Sequence, residues 1–122
     1  MYQVVFYKDA HGNEPVNVYI EWLERQNTKD AKIRKTKIRT YIKVLALKGL
    51  PLTTKICKHL EGDIWELRPN KDRVLFAGWH KGIFVLLHCF VKESQKTPRR
   101  EIEKAKKEFA DFKERWNING NN

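Results

Sequence analysis

Ile83-Phe84-Val85-Leu86-Leu87-His88-Cys89-Phe90-Val91-Lys92-Glu93-Ser94-Gln95-Lys96-Thr97-Pro98-Arg99-Arg100-Glu101 opens as a strand, breaks into a basic polar turn and then starts a helix. Seven of the nine residues from Ile83 to Val91 are aliphatic or aromatic, which predicts a strand buried on both faces in the middle of a sheet. Such a strand delivers Lys92 and Lys96 to its exit, on a loop carried by a rigid scaffold, where binding and catalytic groups tend to sit. Thr97 suits the N-cap of the following helix and Pro98 its first position. Arg99 and Arg100 then fall in the first helical turn, against the positive end of the helix dipole, and an anion docking there would account for them.

Upstream, Ile64 to Arg68 and Arg73 to Trp79 read as strands separated by Pro69-Asn70-Lys71-Asp72. With a short turn between Trp79 and Ile83, the three strands form an antiparallel meander. Tyr2 to Tyr7 is a first strand, closed by the turn Asp9 to Asn13. Val16, Tyr19, Ile20 and Leu23 describe one face of a helix ending near Gln26. Asp30 is expected to cap a second helix with the stripe Ile38, Tyr41, Ile42 and Leu45, stopped by Gly49 and Pro51. Its other faces carry Lys32, Arg34, Lys35, Lys37, Arg39 and Lys43, either as a solvated surface or as one meeting an acidic partner or an RNA backbone. Pro51 to Asp63 reads as irregular. In the last helix, Pro98 to about Trp116, the residues Ile102, Ala105, Phe109, Phe112 and Trp116 recur at spacings of 3 and 4, as a core stripe rather than a base-stacking platform. The expected architecture is α+β: an N-terminal strand, a helical hairpin, an antiparallel sheet of about four strands and a C-terminal helix. It forms one domain over residues 1–116, with a frayed tail at 117–122.

Composition narrows the class. The chain has 122 residues, long enough for one core and too short for two. Against 15 acidic residues stand 25 Lys and Arg, a formal charge of +10, while 41% hydrophobic content excludes disorder. A folded, strongly basic domain points to nucleic acid or another polyanion; an acidic protein partner is the alternative. Cys57, in the segment read as irregular, and Cys89, in the buried strand, suggest free thiols in a reducing cytosol rather than a disulfide. The start reads as a strand and not a signal peptide, and no apolar run is long enough for a membrane span.

Strand geometry selects the residues that meet. The loop Pro69 to Asp72 makes Arg68 and Arg73 a directly opposed pair on one face. Two-residue turns at His80-Lys81 or Lys81-Gly82 both pair Arg73 with an even-numbered residue, His88 or Phe90. His88 and Lys92 then share the face of the two arginines, Glu66 joins from the other side, and Trp65, Leu67, Val74 and Phe76 point the opposite way, under the helices. Like charges opposed across strands cost roughly 0.2–1 kcal/mol, so the pair is poor design for stability alone. Either acids neutralise it, or it binds an anion. The histidines show no metal-ligand spacing, and neither a phosphate-binding glycine loop nor a carboxylate pair is present, so no metal or other cofactor is expected. A metal-free cluster of Arg and Lys suits cleavage of RNA through its own 2′-hydroxyl. The substrate brings the nucleophile; the protein binds the phosphate, stabilises its developing charge and moves two protons.

The ordered segments Ile64-Trp65-Glu66-Leu67-Arg68, Arg73-Val74-Leu75-Phe76, Leu87-His88-Cys89-Phe90-Val91-Lys92 and Gln95-Lys96-Thr97-Pro98 resemble the phage-derived HigB-like toxins of the RelE/ParE superfamily of bacterial toxin–antitoxin systems. The resemblance covers nearly the whole chain. It implies a RelE-like fold, a cytoplasmic ribosome-dependent messenger-RNA endonuclease, and a HigA-like helix-turn-helix antitoxin that joins it in a hetero-oligomer. Carried over, Arg68 and Arg73 match the family's middle-strand arginines, and Lys92 and Lys96 its basic residues after the last strand. RelE has lysines where this chain has Ile64 and Glu66, and a counterpart of the RelE terminal tyrosine is missing. Glu66 or His88 is therefore the candidate general base, with Arg99, Arg100 and Lys58 as further RNA contacts. A ParE-like gyrase poison shares the fold without nuclease chemistry, and a basic regulatory domain is the third possibility.

Overall fold

The computed structural model describes residues 2–50, 55–80 and 82–118. Its elements run β1 (Gln3–Phe6), α1 (Pro15–Arg25), α2 (Lys29–Lys48), β2 (Cys57–Glu61), β3 (Ile64–Leu67), β4 (Asp72–Trp79), β5 (Ile83–Val91) and α3 (Arg99–Ile118). One five-stranded sheet has the order β1-β5-β4-β3-β2. β1 lies parallel to β5, Gln3 opposite Ile83, and the remaining pairs are antiparallel. The apolar run Ile83–Val91 is thus an interior strand. Phe84 and Leu86 enter one core with Val16, Ile20, Leu23, Ile38 and Leu45 of the α1–α2 hairpin. Val85 and Leu87 enter a second core with Ala105 and Phe109 of α3. The α+β class holds, with helices on both faces of the sheet.

Several local expectations change. Thr28, not Asp30, caps α2: its hydroxyl accepts from the Ala31 N–H at 3.1 Å. Gly49 closes α2 at φ 66°, and a Cβ there would collide with the Tyr2 ring, so only glycine fits. Pro51 and Lys81 lie outside the described residues. The segment read as irregular contains β2, an edge strand whose register slips between His59 and Glu61, so Cys57 begins a strand and is buried. Thr97 does not cap α3, because its hydroxyl is turned to β3. The helix starts at Arg99 and its first bonds go to the Pro98 carbonyl. Asn117 and Ile118, assigned to the tail, belong to this helix.

The β4–β5 register shows how sheet geometry reached the expected result by another route. Trp79 pairs with Ile83, leaving residues 80–82 between them rather than two. That loop alone would set Cys89 opposite Arg73. A bulge then restores parity: Phe76 pairs with Leu86 but Leu75 with His88. Leu87 and His88 both face α3, and Arg73 opposes Phe90.

Candidate active site at the end of the sheet

Two rows of side chains cross the sheet on the α3 face. Leu67 pairs with Val74, so the next residues outward, Arg68 and Arg73, are directly opposed, and Phe90 follows on β5. One step deeper lie Lys58, Glu66, Leu75 and His88. Glu66 is the hub. Its Oε1 accepts from the Thr97 hydroxyl at 2.6 Å, while Oε2 stands 3.6 Å from Arg68 Nε and 3.9 Å from Arg73 Nε. An acid that could neutralise the opposed arginines is therefore present, and Lys58 lies across from it.

The two arginines differ in access. Arg73 is 7% exposed, and its Nη1 donates to the backbone carbonyls of Asn70 and Asp72 at 2.8 and 2.9 Å. Burial works against its charge and Glu66 works for it, with the net effect downward on its pKa. The Arg68 side chain is 23% exposed, the more accessible of the two. Lys92 is half-buried, and its backbone N–H donates to the Lys71 carbonyl at 2.8 Å; Lys96 is exposed.

His88 is enclosed. Nδ1 lies 2.6 Å from Glu108 Oε1 and Nε2 2.9 Å from Glu101 Oε1, both acids on α3, and the ring is 3% exposed. Sharing both nitrogens between carboxylates makes it a tie between β5 and α3, one row away from the arginines. Arg99 does not wait for an external anion: it forms a bidentate pair with Glu61 of β2, both bonds 2.6 Å, and reaches Glu103 at 3.3 Å. Arg100 is 73% exposed and 3.8 Å from Glu101. The structure thus gathers Glu66, Arg68 and Arg73, places Lys58, Lys92 and Lys96 on the surrounding elements and loop, and sets His88, Arg99 and Arg100 into contacts along α3.

A buried cluster behind the site was missed from sequence. Arg34, expected on the solvated face of α2, is buried and grips Asp72 with Nε to Oδ2 at 3.0 Å and Nη2 to Oδ1 at 2.8 Å. The Tyr19 hydroxyl donates to the same Oδ1 at 2.5 Å. Burial first, then the bond to Asp72, raises the Tyr19 pKa. α1, α2 and β4 are thereby fastened at the residue next to Arg73, while Asn70, at φ 60°, turns the β3–β4 connection. A signal existed: Arg34 lies on the buried stripe Ala31, Arg34, Ile38, Leu45, where a cation demands a buried counter-charge.

A carboxylate fixed between two guanidinium groups, with lysines on the adjoining loop, can hold a phosphodiester and accept a proton. Among the described residues no group of three or more His, Cys, Asp or Glu side chains is disposed to hold a metal ion. No described helix is long and apolar enough to cross a membrane. The fold is that of a small RelE-like α+β domain. The chain is similar to one in the crystal structure of the archaeal RelE-RelB complex from Pyrococcus horikoshii OT3, with a TM-score of 0.54 and 16% identity over 75% of this chain and 96% of that chain. That likeness fixes the fold. The family model "Phage derived protein Gp49-like (DUF891)" matches residues 21–110, and the chain belongs to that family. No curated protein sequence matches it.

Proposed function

We propose that the protein is the toxin of a toxin–antitoxin pair and acts in the cytoplasm as a ribosome-dependent messenger-RNA endonuclease. The observation that carries this is the Glu66 carboxylate set between the opposed Arg68 and Arg73 at the sheet end. Arg68, the more exposed, binds a phosphate oxygen, and Arg73 stabilises the charge from behind it. Glu66 takes the proton of the 2′-hydroxyl, whose oxygen attacks phosphorus as the bond to the 5′-oxygen breaks. Lys92 or Lys96 protonates the departing oxygen. The products are a 2′,3′-cyclic phosphate and a 5′-hydroxyl. The partner is a HigA-like antitoxin in a hetero-oligomer, in keeping with the +10 charge and with the complex that the archaeal relative forms.

The test is a programmed ribosome carrying message that is either all-ribose or 2′-deoxy at the cut position. The ribose message should be cut and the deoxy message should bind and stay whole. Cleavage of both at one rate would sink the mechanism. Arg73→Ala should stop growth arrest in cells; arrest that survives it would direct attention to gyrase instead.

A further inference from the structure

Glu66 cannot orient itself. The torsion that turns a glutamate's carboxylate is broad and nearly two-fold, so its plane is set by whatever bonds its oxygens. Here the donor comes from 31 residues away, the Thr97 hydroxyl at 2.6 Å from Oε1. A hydroxyl donating to a carboxylate at that distance is a charge-assisted bond, about twice as strong as a neutral one. With Oε1 taken, Oε2 is the oxygen left toward Arg68 and Arg73.

Thr97 is itself held rigid by covalent structure. Pro98 follows it and restricts its backbone to extended conformations, and its branched Cβ limits the side-chain torsion. The loop it terminates is tied at the other end by the Lys92 N–H to the Lys71 carbonyl, and bridged internally by the Ser94 hydroxyl to the Lys96 carbonyl at 2.9 Å. The bond to Glu66 therefore fixes two things together: the carboxylate plane, and the place of Lys96, the neighbouring residue.

We propose that Thr97 is a positioning residue, whose hydroxyl orients the Glu66 carboxylate and latches the loop bearing Lys92 and Lys96 onto the arginine row. Its effect on cleavage rests on the nuclease function proposed above; the latch does not. Thr97→Val keeps the shape and removes the donor, and Thr97→Ser keeps the donor on a freer side chain.

Two measurements on the full chain test it. In the ribosome cleavage assay, Thr97→Val should lower kcat about ten- to hundredfold, the loss expected for one hydrogen bond to a charged group, with KM unchanged. Thr97→Ser should recover most of it, which a packing defect would not allow. In limited trypsin digestion, Thr97→Val should be cut after Lys96 faster than wild type while the thermal midpoint stays close to that of wild type, the sign of local loop release. Equal kcat for Thr97→Val and wild type overturns the positioning role. Unchanged cutting after Lys96 overturns the latch, whatever the activity. A wild-type protein that leaves every message whole instead overturns the nuclease function, with the digestion still deciding on the latch.

Discussion

Removing the Asp72 carboxylate would take from the buried Arg34 guanidinium its close buried partner and leave it the exposed Asp30 carboxylate at 3.6 Å. Stripping one partner from a buried pair costs about 3–5 kcal/mol, because the remaining charge has no water to turn to. Asp72→Ala should therefore lose about 3 kcal/mol in urea unfolding, the lower end of that range because Asp30 remains, and a sizeable share of a margin of about 5–15 kcal/mol. Tyr19→Phe deletes one of three bonds to the Asp72 carboxylate and the bond that the hydroxyl accepts from Arg34 Nη2, and leaves the ion pair, so its loss should be about 1–2 kcal/mol. A smaller effect from Asp72→Ala than from Tyr19→Phe would show that the pair is not buried in solution. Both measurements bear on the site as well, since Arg73 leans on the Asp72 carbonyl. By contrast Cys57, whose thiol is pushed up to about 12 chiefly by burial, has no part in this network and behaves as a small core residue.

Among the elements, the bulge in β5 gives the sharpest test. Leu75 and Leu87 are both fully buried in the α3-side core, one on β4 and one on β5. Deleting Leu87 closes the bulge and leaves a regular ladder with Leu75 opposite His88 and Arg73 opposite Phe90. The cost should be that of a lost core leucine, about 2–5 kcal/mol, with unfolding still cooperative. Deleting Leu75 shifts β4 against β3 and β5 together and turns alternate side chains to the wrong face, so no cooperative transition should remain. Equal behaviour of the two in urea would mean that the bulge does not set the register. The same strand shows what sequence can and cannot disclose. β5 was legible because an apolar run of that length has few places to go but a sheet interior. The opposed arginines were legible because the β3–β4 loop is short. The hairpin to β5 was not, since a loop one residue longer and a bulge cancel, and neither leaves a mark on the pattern. β2 was hidden because Lys58 and His59 are exposed and the register slip at its end breaks the alternation. Thr97 was misread because Ser or Thr before Pro is a cap by local rules, and only its distant partner Glu66 decides otherwise.

For the molecule as a whole, α3 is fastened to the first strand's exit by Tyr7, Asp111 and Arg115. The Tyr7 hydroxyl and Arg115 both donate to Asp111 Oδ2 at 2.6 Å, and Arg115 also reaches the Asp9 carbonyl at 3.0 Å. The Tyr7 bond first, then Arg115, holds the Asp111 pKa below its ordinary value. A carboxyl lowered on folding adds stability above its unfolded pKa of about 4, and that stability fades as pH falls through the folded value. Asp111→Asn should accordingly unfold at a lower temperature than wild type at pH 7 and at the same temperature near pH 2; a gap that persists in acid would contradict the linkage. The strand order carries one more consequence, in time rather than in space. β1 pairs with β5, about 80 residues later in the chain, and β5 joins it to the rest of the sheet. At about 5–20 residues per second, a ribosome making this protein needs several seconds between the two strands, during which the first has nothing to pair with. The arginines are made before Phe90, Lys92 and Thr97 exist to frame them. A chain released before β5 is made therefore lacks the interior strand that joins β1 to the sheet as well as part of its site, and such a copy should be inert.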